Sequence, residues 1–143
     1  MTVARILALK GADVVTAAPH RLMADIVRLL AERRIGTVVI AGADGAISGI
    51  ISERDVVRAL ASQGAAALDE PVSAYMTRKV VTVGAEETIE EVMDRMTEGK
   101  FRHVPVLEGR RIVGIVSIGD VVKHRMAVVE AEASAMRDYI ATA

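Results

Sequence analysis

Apolar residues near the start of the chain recur with helical spacing. Met23, Ile26, Val27 and Leu30 stand at i, i+3, i+4 and i+7 and form one face of an expected helix. Sixty-six positions later Ile89, Val92, Met93 and Met96 repeat that face. After each helix the pattern changes to β-rich runs, Thr37 to Ile40 with Ala46 to Ile51, then His103 to Leu107 with Arg111 to Ser117. Each pair is joined by a Gly-containing turn and reads as a hairpin. A short strand precedes each helix, Val14 to Thr16 in one half and Val80 to Thr82 in the other, and a second helix begins at Ser52 or Ser117. The order strand, helix, strand, strand, helix therefore occurs twice.

Residue identities confirm the duplication. Gly49-Ile50-Ile51-Ser52-Glu53-Arg54-Asp55-Val56-Val57 lies 65 positions before Gly114-Ile115-Val116-Ser117-Ile118-Gly119-Asp120-Val121-Val122, and Val14-Val15-Thr16 lies 66 before Val80-Val81-Thr82. The one-residue difference falls in the hairpin loops, where Ala41 to Gly45 faces the shorter Glu108-Gly109-Arg110. Residues 1–61 are expected to hold an N-terminal helix and the first repeat, 62–71 a linker, 72–126 the second repeat, and 127–143 a helical extension. Pro71 is placed to start a short helical turn. One repeat alone leaves a face of its sheet wet, so the two are expected to stack as one unit. Thr2 to Leu9 reads as a helix capped by Thr2, with Val3, Ile6 and Leu7 inward. At the other end Val122, Met126, Val129, Ala133, Met136 and Ile140 form a heptad-like stripe. That stripe either packs along its own domain or forms a dimer contact, and a homodimer is expected.

Composition narrows the class. The 143-residue chain is 52% hydrophobic but has only Tyr75, Phe101 and Tyr139 as aromatics, so its core is aliphatic, as in sheets covered by helices. The fold class is α/β (α+β). A net charge of -1 favours neither nucleic acid nor an anionic membrane. There is no Cys, which removes disulfides, thiol catalysis and thiolate metal sites. No apolar run approaches the ~18 residues of a membrane span, and a soluble cytoplasmic protein is expected.

The repeated Ser-x-x-Asp carries the candidate chemistry. At a strand-to-helix junction it is first a capping box, with the Ser hydroxyl and the acid satisfying helix N–H groups. The same hydroxyl and carboxylate also face one space, and a carboxylate accepts two hydrogen bonds from vicinal hydroxyls such as those of a ribose. A phosphate nearby gains from the helix N-terminus. Arg102 and His103 open the hairpin of the second half, where the first half has Gly36 and Thr37, so the two sites are not equivalent. On spacing alone this pair is equally a solvated strand end. The three His (His20, His103, His124) are scattered and no glycine-rich phosphate loop occurs, so no enzyme activity and no catalytic cofactor or metal is expected.

The twin Gly-Ile-hydrophobic-Ser-x-x-Asp motifs, the Met76-Thr77 turn before Val80-Val81-Thr82, and Arg102-His103-Val104-Pro105-Val106 resemble the CBS domain, named after cystathionine beta-synthase, over about Lys10 to Met126. The resemblance implies a Bateman module, two β-α-β-β-α repeats related by a pseudo-twofold axis, followed here by a C-terminal amphipathic helix. It implies an adenosine-containing regulatory ligand (AMP, ADP or ATP, S-adenosylmethionine, or NAD(H)) in clefts between the repeats, and an unknown protein target. Carried over by position, Ser117 and Asp120 hold one ribose, with Arg102 and His103 near its phosphates and Val15, Ile35, Gly36 and Ile115 around the adenine. In the second cleft Ser52 and Asp55 hold ribose while Val81, Phe101 and Ile50 line the base pocket, and Arg54 stands in for the missing Arg-His pair. The Ser117 and Asp120 cleft ranks first. The alternative is a ligand-independent dimerisation or protein-interaction module.

Overall fold

The computed structural model describes residues 1–142. Its elements are α1 (Val3–Lys10), β1 (Thr16–Ala17), α2 (Met23–Arg33), β2 (Thr37–Ala41), β3 (Ile47–Ser52), α3 (Glu53–Gln63), β4 (Val83–Gly84), α4 (Ile89–Gly99), β5 (His103–Glu108), β6 (Arg111–Ser117) and α5 (Ile118–Thr142). They form two three-stranded sheets, β1-β2-β3 and β4-β5-β6. In each sheet the first pair is parallel and the second is the expected antiparallel hairpin. Both hairpins shift register at matching places, Ile40/Ala41 and Val106/Leu107.

The first strand of each half lies further along than the apolar runs suggest. Thr16 pairs with Val39 and Val83 with Val106, so Val14, Val15, Val80 and Val81 precede the ladders. The Val39 N–H still bonds the Val15 carbonyl at 3.1 Å. These valines are thereby left free to line cavities.

Each sheet is covered on one face by its own helices. Met23, Ile26 and Leu30 of α2 close on Val38, Ile40 and Ile51, while Ile89, Val92 and Met96 of α4 close on Val104, Val106 and Val116. Val39 and Pro105, sixty-six positions apart, fall on the opposite strand faces by the two-residue period and are buried as well. Burial of that second face is what stacking of the repeats requires. The fold is two β-α-β-β-α units with a C-terminal helix.

Packing does not follow chain order at the repeat boundaries. The helix α1, expected with the first repeat, puts Val3 and Ile6 into the core of the second. In exchange, the linker and the start of the second repeat give Ala67, Val72 and Met76 to the core of the first. The expected linker is thus ordered as a 3-10 helix, Gly64–Asp69, followed by a second short turn, Val72–Ala74, beginning after Pro71. The exchange explains the motif glycines. A Cβ on Gly49 would lie 2.8 Å from the Thr77 carbonyl oxygen, and one on Gly114 would lie 2.6 Å from Leu7 of α1. Glycine lets the exchanged segment cross close to the strand, most strictly at Gly49, where the neighbour is backbone.

Helix α5 runs unbroken through the expected boundary at residue 126. It is held to the domain by Val121 and His124, not by the heptad-like stripe. Val122, Met126, Val129, Met136 and Ile140 stay exposed, with Met136 at 60% and Ile140 at 66%. The stripe therefore does not pack along its own domain. Ala143, the last residue of the expected extension, lies outside the described residues.

Candidate functional site

Both Ser-x-x-Asp motifs form capping boxes at the starts of α3 and α5. Ser52 accepts from the Asp55 N–H at 3.3 Å, and Asp55 Oδ2 accepts from the Ser52 N–H at 2.9 Å and the Ser52 hydroxyl at 3.1 Å. The matching distances for Ser117 and Asp120 are 3.2, 2.9 and 3.0 Å. Capping thus uses the Ser and one carboxylate oxygen. The other oxygen of each Asp accepts no hydrogen bond from a described residue, which leaves it able to take a ligand hydroxyl.

Each Asp borders a cavity that residues of both repeats enclose. The first, about 290 Å³, is lined by Ser117, Asp120, His103 and Ile115 from one half and by Val15, Ile35 and Gly36 from the other. The second, about 470 Å³, is lined by Ile50, Ser52, Arg54 and Asp55 and by Val81 and Phe101. The residues expected in each cleft are brought together, with one exception. Arg102 lines the second cavity, not the first, and His103 borders both. The expectation that the Ser52 and Asp55 cleft lacks these two residues is corrected accordingly. The physical reason is that Arg102 stands in the bend before β5, outside the ladder, whereas His103 is the first residue of the strand and pairs with Ser117 of the first cleft. The basis for ranking the Ser117 and Asp120 cleft first is removed with it.

Several cleft residues escape a reading of the motifs. Lys10, at the end of α1, donates to Asp120 Oδ2 at 2.7 Å and to the Ile115 carbonyl at 2.8 Å. It reaches that place only because α1 packs on the second repeat. Arg34 and Lys100 end α2 and α4 in the left-handed conformation, at φ 54° and 56°. Arg34 enters the first cavity and Lys100 the second. Their sixty-six-residue separation was the available signal. A non-glycine residue held there costs roughly 1 kcal/mol. Arg58 and Lys79 complete the second cleft.

The electrostatics follow from these positions. Burial acts to raise the Asp120 pKa, but the Lys10 ammonium and the two Ser117 donors outweigh it and hold the carboxyl below its ordinary value. Burial pushes the His103 imidazole down, against the pull of Asp120. Thr37 lines both cavities, and its buried Oγ1 has no hydrogen-bond partner among the described residues.

Residues 9–62 and 72–127 match the CBS domain, one match to each repeat. The chain belongs to the CBS domain family. This CBS pair resembles the crystal structure of a CBS-domain containing protein from Agrobacterium tumefaciens with a TM-score of 0.85 and 48% identity, covering 87% of this chain and 92% of that one. A mitochondrial CBS domain-containing protein of Arabidopsis thaliana is 36% identical over 103 residues, 69% of this chain. The CBS pair spans 50% of that relative's length. The CBS domain pair of protein MJ0100, in complex with 5'-methylthioadenosine and S-adenosyl-L-methionine, superposes with a TM-score of 0.79 at 26% identity, covering 89% of this chain and 97% of that one. CBS domains are regulatory modules in general, and no helix among the described residues of this pair is long and apolar enough to cross a membrane.

Proposed function

We propose that this CBS pair is a non-catalytic regulatory module that binds adenosine-containing ligands in its two clefts and acts on a partner protein. One observation carries the reading: two capped carboxylates, each keeping one oxygen uncommitted, border cavities whose linings combine aliphatic residues with cations. In each cleft the free Asp oxygen takes the ribose hydroxyls and the valine and isoleucine side chains take the base. The MJ0100 pair, with two adenosine compounds bound, supports the ligand class. The proposal includes a cytoplasmic location, where adenine nucleotides are abundant, and cell fractionation tests it.

A thermal-shift and calorimetric panel of AMP, ADP, ATP, S-adenosylmethionine, 5'-methylthioadenosine and NAD(H) tests ligand binding. A ligand at about 100 times its Kd adds about 2.7 kcal/mol, or roughly 8 °C for a chain of this size. A flat response to every compound sinks the reading. Self-association is the second part of the proposal. The exposed α5 stripe supports a homodimer, and it is also what a ligand-independent interaction module needs. Sedimentation equilibrium is expected to give a dimer at micromolar concentration, dissociated by Met136→Glu; a wild-type monomer refutes it.

A further inference from the structure

The two clefts differ in charge far more than their matching motifs suggest. The second cavity is bordered by Arg54, Arg58, Lys79, Lys100 and Arg102, against the carboxylates of Glu53 and Asp55. Among the described residues none of those five cations makes an ion pair. Arg54 and Arg58 stand four apart on α3, so their like charges share one helix face and repel. Lys100 is held at its place by the left-handed turn after α4. Arg102 follows two residues later in the same α4–β5 connection and Lys79 comes from the segment before β4, so three separate parts of the chain converge on one concavity. The first cavity is evenly balanced. Lys10 and Arg34 face Asp13 and Asp120 there, and Lys10 is already spent on Asp120 at 2.7 Å.

We infer that the Ser52 and Asp55 cleft is a polyphosphate site, selecting adenosine compounds that carry two or more phosphates, while the Ser117 and Asp120 cleft takes ligands with little net charge. Unpaired cations around a concave site focus a positive field, and a ligand relieves their mutual repulsion in proportion to its own negative charge. A monophosphate leaves much of that excess standing. The larger volume of the second cavity, about 470 against 290 Å³, has the room for the added phosphates. This inference rests on the adenosine reading above and deepens it.

Metal-free calorimetry with adenosine, AMP, ADP, ATP and inorganic tripolyphosphate tests it on the wild-type chain. ATP is expected to bind on the order of tenfold or more tightly than AMP, with ADP between. Asp55→Ala is expected to remove most ATP binding, and Asp120→Ala to leave it largely in place. Raising the salt concentration is expected to weaken ATP more than AMP. In Arg58→Gln/Arg102→Gln the ATP to AMP ratio falls toward one, whereas Arg28→Gln/Arg111→Gln, with the same loss of charge away from the cleft, keeps it. Both pairs are surface residues, and an unchanged melting temperature checks their fold. Equal binding of AMP and ATP, or a preference that survives Arg58→Gln/Arg102→Gln, overturns the polyphosphate site but not the adenosine reading. Binding of tripolyphosphate with no response to any adenosine compound supports the anion site and overturns the adenosine reading. Silence from all five overturns both.

Discussion

Replacing Lys10 by Met separates the two roles of Asp120. The ammonium lies 2.7 Å from Asp120 Oδ2, and the two side chains are 30% and 23% exposed. Bare Coulomb attraction at that distance and an effective dielectric of ~20 amounts to several kcal/mol. Solvent screening and the ordering of a long side chain reduce the net value of such a pair to about 1 kcal/mol. Met keeps the apolar stem of Lys10 and removes only the charge and the donors. Lys10→Met is therefore expected to lower the melting temperature by about 3 °C. The carboxylate released from its partner becomes a better acceptor for ribose hydroxyls. Adenosine, which has no phosphate to complicate the comparison, is expected to bind the Ser117 and Asp120 cleft about fivefold more tightly, the equivalent of about 1 kcal/mol. Isothermal titration in an Asp55→Ala background isolates that cleft. Unchanged or weaker adenosine binding in Lys10→Met refutes the argument that the lysine competes for Asp120.

Two further outcomes follow from the packing and the titrating groups. Gly49→Ala forces a Cβ to within 2.8 Å of the Thr77 carbonyl oxygen, whereas the Cβ of Gly114→Ala meets only the Leu7 side chain. Denaturant unfolding is expected to show a loss of about 1–3 kcal/mol for the first and clearly less for the second, because a leucine tip turns aside and a backbone does not. The His103 pKa is lowered in the folded chain, so the unfolded chain binds more protons as pH falls. Its contribution is fully present above the unfolded value of about 6.5 and is lost as pH drops through the folded value. Asp120, also depressed, contributes above its ordinary 3.8 and loses that contribution as acid titrates it through its folded value. Urea melts at pH 7 and pH 5 are expected to show a smaller stability loss in His103→Gln than in wild type, and equal losses exclude His103 as the source.

Much of the fold is legible along the chain because its signals are local. The apolar faces of α2 and α4 bury the residues that the spacing marks, Met23, Ile26 and Leu30, then Ile89, Val92 and Met96. The hairpins and the Ser-x-x-Asp caps also depend on a few adjacent residues. Strand positions were less readable. A two-residue strand is fixed by where its neighbour's carbonyls lie, so β1 and β4 moved past the valine runs that predicted them. The α5 stripe was visible, but which side of the helix faces the domain was decided by Val121 and His124.

The sequence by itself determined the duplication, the order of elements in each repeat, and two capped carboxylates in matching positions. These rest on short-range periodicity and hydrogen bonding, which nearby residues settle among themselves. Only the tertiary structure decided how the clefts differ. Lys10 meets Asp120 across 110 positions because α1 packs on the far repeat. Arg102 borders one cleft and His103 both, because the first stands in the bend before β5 while the second is held in the ladder opposite Ser117. Charge in a cleft depends on which segments converge there, and no local pattern in the chain encodes that convergence.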